Sequence, residues 1–136
     1  MTMRVTRSIE FSSSLRYWRG DLSDAENEEL FGYYARKHGH NYKLEVTLRG
    51  EPDPVTGMVM NLVDLKEILE REVMARFDHK DLNADTEHFE KEPPTPENFA
   101  RVLFELLDAA LPAGQLERIR LHQDAELWVD ATRTAP

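Results

Sequence analysis

The stretch Asn41-Tyr42-Lys43-Leu44-Glu45-Val46-Thr47-Leu48-Arg49 sets the architecture, because Tyr42, Leu44, Val46 and Leu48 alternate without a break against Lys43, Glu45 and Thr47. A period of two puts the apolar set on one face of a strand and the polar set on the other, so this strand belongs to a sheet with one packed and one wet face. Upstream, Val5, Ile9, Phe11 and Leu15 keep the same period, while Arg7 and Ser13 interrupt it. They predict a long, imperfect first strand over 5–15. Between the two strands, Trp18 to Lys37 is polar and rich in Asp and Glu around Leu22-Ser23-Asp24-Ala25-Glu26-Asn27. It reads as an ordered excursion with room for one helical turn.

Downstream, Gly50 to Gly57 carries Pro52 and Pro54 and reads as a turn. Leu62, Leu65, Leu69, Val73 and Phe77 then recur every three or four residues, the spacing of a helix with one apolar stripe. In a second helix, Thr95 is the expected N-cap and Pro96 the first helical residue, where a missing N–H costs nothing. Phe99, Val102, Leu103, Leu106 and Leu107 form its buried face, and Pro112 with Gly114 ends it. Two short strands close the chain, around 118–122 and 126–131. The expected fold is α+β: a four-stranded antiparallel sheet with two helices on one face, between strands 2 and 3. With no repeat and no linker, 1–136 reads as a single domain.

The composition excludes several classes of function. A net charge of −9 with no basic patch argues against nucleic acid as a partner. The N-terminus has no apolar signal core and no apolar run matches a bilayer, so the expectation is a cytoplasmic protein without a membrane partner. The absence of cysteine rules out disulfides, Cys-ligated metal and thiolate catalysis.

Seven segments occur in order: Phe11-Ser12-Ser13-Ser14, Leu22-Ser23-Asp24-Ala25-Glu26-Asn27, Phe31-Gly32, His38-Gly39-His40-Asn41-Tyr42, Gly57-Met58-Val59-Met60-Asn61-Leu62, Asp78-His79-Lys80-Asp81-Leu82-Asn83 and Pro94-Thr95-Pro96-Glu97-Asn98. Each is weak alone; together they resemble the 6-pyruvoyl/6-carboxy-tetrahydropterin synthase family. The resemblance implies the tunnelling fold, in which the four-stranded unit trimerises into a barrel and two trimers stack as a homohexamer with sites between subunits.

The resemblance also implies a zinc ion on three histidines, proton transfer by a cysteine, an aspartate and a histidine, and a glutamate anchoring the pterin. His38 and His40 match two metal ligands, and Asp78 and His79 match the proton-transfer pair. The third ligand position is Leu15, the cysteine position is Tyr34, and Gln123 takes the place of the anchoring glutamate. Two histidines fall short of the three protein ligands of a catalytic zinc, so zinc is expected to bind weakly or not at all. A phenol is ordinarily much less readily ionised than a thiol, so Tyr34 is left as a proton or hydrogen-bond donor. Glutamine offers one acceptor and one donor where a carboxylate offers two acceptors. Thr95 and Glu97 are candidate substrate contacts, with helix capping as the plain alternative. For Asp78-His79 the alternative is a solvated helix end.

Three readings follow, all with a small-molecule substrate or ligand. The preferred one is an enzyme that keeps the Asp78/His79 pair and works as a lyase or related acid/base catalyst on a pterin-like or other small carbonyl compound, with altered substrate or reaction. The others are a conventional pterin synthase with substituted residues, and a non-catalytic ligand-binding or scaffold protein on the same fold.

Overall fold

The alternating segments pair as their periodicity requires. In the computed structural model, which describes residues 1–133, β1 (Met3–Leu15) and β2 (His38–Gly50) run antiparallel from Met3 opposite Gly50 to Leu15 opposite His38. Antiparallel partners share a face, so Phe11 lies against Tyr42 and Ile9 against Leu44. A short strand at Lys80–Asp81, β3, lies outside β1. On the far side of β2 come β4 (Leu116–His122) and β5 (Trp128–Thr132), giving the order β3-β1-β2-β4-β5. A bulge at Glu117 shifts the β2–β4 register between Thr47 and Leu48.

The sheet therefore has five strands instead of the expected four, and its edge pair, β1 with β3, is parallel. Two residues, Lys80 and Asp81, carry no hydrophobic alternation. They pair only because main-chain bonds from His79 and Leu82 reach Ser12 and Ser14. The excursion after β1 also holds more than one turn: α1 spans Asp24–Phe31, and a 3-10 turn follows at Gly32–Ala35. Ser23 and Glu26 form a reciprocal capping box there. The fully buried Asn27 side chain bonds the main chain of Arg19, Leu22 and Ser23, which orders the loop before it.

The next helix opens as α2 (Leu62–Leu69) behind an Asn61 cap, passes through a π turn at Glu70–Met74 and ends in α3 (Ala75–Phe77). Leu62, expected on the apolar stripe, is exposed, and the buried stripe runs from Leu65 to Phe77. The second long helix, α4 (Pro96–Ala110), is capped by Thr95 with Pro96 in its first turn, as the sequence predicts. Their apolar faces meet the sheet in one core, where Phe99 contacts the rings of Phe11, Tyr42, Phe77 and Phe89 at centroid distances of 5.0–5.9 Å. These edge-on contacts tie the first turn of α4 to Phe11 on β1 and Tyr42 on β2. No helix among the described residues is long and apolar enough to cross a membrane.

Candidate functional site

The chain leaves α3 at Phe77 and returns along β1, and the run Ser12-Ser13-Ser14 holds it on that path. The buried Ser13 Oγ donates to the Phe77 carbonyl at 2.7 Å. The Ser12 N–H donates to Asp78 Oδ1 at 3.0 Å, and the Ser12 carbonyl accepts from the His79 N–H at 2.6 Å. Ser14 Oγ donates to Asp81 Oδ2 at 2.9 Å, which fixes the far end of the segment. Within this clamp His79 takes φ 58°, in the left-handed region that non-glycine residues rarely adopt. Such a conformation costs on the order of 1–3 kcal/mol and persists where surrounding contacts over-determine it.

His79 Nδ1 lies 2.9 Å from Asp78 Oδ1. The Ser12 N–H is the main influence holding the Asp78 carboxyl below the usual carboxylate range; burial opposes it and His79 adds to it. Beside the pair opens a cleft of about 550 Å³ lined by Ser12, Ser14, Lys37, His40, Asn41 and His79. Lys37 Nζ stands 3.2 Å from Asp81 Oδ2. The cleft lies on the face of Ser12, Ser14 and Asn41 beside His79, whereas the His40 ring projects from the opposite face of β2, against His38 and Tyr42.

His38 and His40 project from the same face of β2, their rings perpendicular at a centroid distance of 5.0 Å. His38 Nδ1 is engaged by the Arg36 carbonyl at 2.9 Å. Burial, and then the neighbouring His38, lower the His40 imidazole pKa, with Asp124 opposing. Across the ladder, Leu15 stands opposite His38 and Ser13 opposite His40. Tyr34, exposed at the end of the 3-10 turn, stacks on Tyr17 at 4.9 Å, and Tyr17 lies 6.3 Å from the His38 ring. Burial, then Glu97 and Tyr34, push the Tyr17 phenol up. Tyr17 therefore links Tyr34, His38 and Glu97.

The remaining candidates do not line this cleft. Thr95 Oγ1 accepts from the Asn98 N–H at 3.1 Å in capping α4, and Glu97 sits in the first turn of that helix. Gln123 is the residue just beyond β4, its N–H bonded to the Leu127 carbonyl on the turn into β5. Asp124 Oδ1 accepts from the N–H groups of Glu126 and Leu127 and closes that turn. His122 points to the wet face and meets Glu45 at 2.6 Å, away from Gln123 as strand alternation requires. Sequence reasoning missed Tyr17 and the serine clamp. The clamp had left one trace, a polar Ser13 between Phe11 and Leu15 on the inner face of β1.

The family model described as 6-pyruvoyl tetrahydropterin synthase matches residues 4–134. The chain belongs to that family. A 6-pyruvoyl tetrahydrobiopterin synthase of Pongo abelii is 45% identical over 122 residues, covering 88% of this chain and 84% of that protein. Its human counterpart is 44% identical with the same coverage. A solved structure of Caenorhabditis elegans 6-pyruvoyl tetrahydropterin synthase superposes with a TM-score of 0.90 at 34% identity, covering 98% of this chain and 97% of that one. For a chain of the pterin synthase family the donor set is nonetheless short. Among the described residues no three His, Cys, Asp or Glu side chains are placed to hold a metal ion. His38 and His40 alone do not fit the three-ligand zinc that the resemblance implies.

Proposed function

We propose that this chain is a cytoplasmic pterin-synthesising lyase in which Asp78 and His79 move the protons. The observation that carries the reading is the 2.9 Å Asp78–His79 contact at the cleft, in a chain 45% identical to a named synthase over 88% of its length. That likeness favours a pterin synthase with substituted residues over the altered-substrate enzyme preferred on sequence alone. Its physical sense is that the serine clamp and the Asp78–His79 dipeptide form one connected unit, independent of the substituted positions.

With Nδ1–H donating to Asp78, His79 Nε2 is left to take a proton from the substrate and return it. The carboxylate stabilises the imidazolium formed in between. In this reading Tyr34, as a proton or hydrogen-bond donor, and Gln123, Thr95 and Glu97, as substrate contacts, lie outside the cleft of a single chain and reach the substrate only where a neighbouring subunit closes it. Incubation of the purified protein with a dihydropterin triphosphate tests the reading: turnover followed by loss of substrate is the expected result. Tight binding of that compound without turnover would instead favour a ligand-binding protein.

The site also asks for a neighbour. The His79 side chain is 84% exposed, and an acid/base group this open to water lacks the desolvated surroundings in which such groups act best. β3 covers only Ser13 and Ser14 of β1, so most of that edge and the outer edge of β5 have no strand partner among the described residues. Open edges of this kind are ordinarily covered. We therefore propose a homo-oligomer, a trimer or hexamer, that closes the edges and encloses the cleft. Light scattering should report one of these masses, and a stable monomer at micromolar concentration would exclude the shared pocket.

A further inference from the structure

We propose that the His38/His40 corner holds no resident zinc and that Leu15 is the residue that decides it. Leu15 is the cross-strand partner of His38, on the same face of the sheet, and its exposure is 0%. Partners opposite each other in an antiparallel pair have Cβ atoms about 4.5–5.5 Å apart, within reach of a shared ion. A ligating side chain at position 15 would thus complete a triangle with His38 and His40. In its place stands a hydrocarbon that cannot coordinate and that seals this corner against the core.

The nearby groups are committed elsewhere. The chain has no cysteine to substitute. Asp124 Oδ1 is occupied by two turn N–H groups, and Asp81 holds Ser14, Lys37 and the N–H groups of Asn83 and Ala84. One nitrogen of His38 is engaged by the Arg36 carbonyl, which leaves a single donor on that ring. Orienting a ring through its other nitrogen is the arrangement metal-binding histidines use. The corner is therefore well prepared for two ligands and lacks the third. This inference is independent of the pterin reading, because metal content is measured without substrate.

The test is elemental analysis of the intact protein, expressed with zinc in the medium and dialysed against a chelator, beside the Leu15→His variant. The wild type should retain well under about 0.1 zinc per chain and the variant about one. Loss of a supporting partner alone costs about 10- to 100-fold in metal affinity, so the variant should bind at least about 100-fold more tightly. Cobalt should give the variant, and not the wild type, the visible absorption of a tetrahedral site. Stoichiometric zinc in the chelator-treated wild type would overturn the proposal, as would a zinc-induced rise in wild-type Tm that His38→Ala abolishes. A folded Leu15→His protein that still binds no zinc would overturn the assignment of Leu15. If that variant does not fold, the wild-type metal content and the Tm comparison decide the question alone.

Discussion

Replacing His79 with alanine is expected to lower kcat on a dihydropterin triphosphate by about 100- to 10,000-fold, the range a positioned acid/base group contributes. KM should change little, because the imidazole is assigned to proton transfer and the binding contacts lie elsewhere. Asp78→Asn should act in the same direction. It keeps an oxygen for the Ser12 N–H but loses the charge that stabilises the imidazolium.

The carboxylate gives this variant a second signature. Its folded-state pKa lies below the ordinary value of about 3.9, so ionised Asp78 contributes stability above that pH and loses it as pH falls through the lower folded value. The stabilities of wild type and Asp78→Asn should differ at neutral pH and converge as the pH drops below about 4. Full activity in His79→Ala would remove the pair from the mechanism.

Gln123→Glu is expected to tighten binding of a soluble pterin by about tenfold to a hundredfold. A pterin presents two N–H donors side by side, and a carboxylate accepts both. With glutamine one contact becomes donor against donor, and an unpaired buried polar group costs about 1–3 kcal/mol. The turn between β4 and β5 is fixed by main-chain bonds and by Asp124, so the substitution changes chemistry without moving the backbone. Calorimetric titration of both proteins gives the comparison. Pterin affinity that is unchanged or weakened would show that Gln123 is not the anchor, and the substituted positions would then say little about substrate choice.

The long-period features of the fold were legible because burial writes them into the sequence. Leu44, Val46 and Leu48 are buried as their alternation requires, as are Leu65, Leu69, Val73 and Phe77 on the helix that follows. The cap at Thr95 and the first turn of α4 rest on local chemistry and were equally readable. The strand at Lys80–Asp81 was hidden because its pairing depends on main-chain groups, which every sequence possesses. The helix at Asp24–Phe31 was understated because it has almost no apolar stripe, although the Ser23/Glu26 box was there to be read. In the site, the adjacent Asp78 and His79 could be named from sequence, and so could the His38/His40 alternation. The approach of Tyr17 to Tyr34, His38 and Glu97 joins three separate stretches of the chain, and no local pattern encodes it.

The π turn at Glu70–Met74 bears on how this family member can vary in length. Leu65, Leu69, Val73 and Phe77 are spaced by four, and in an unbroken α-helix of 3.6 residues per turn each such step advances the stripe by about 40°. Three steps would carry Phe77 about 120° off the line set by Leu65. Widening one turn to i→i+5 bonding absorbs about one residue, or roughly 100° of that drift, and keeps all four side chains in the core. The same angular offset aims the chain as it leaves Phe77, and the next two residues are Asp78 and His79. The exposed Glu70 and Arg71 can therefore change in identity with little effect on the site, whereas the loss or gain of one residue in this turn would swing the Asp78–His79 dipeptide about 100° around the helix axis.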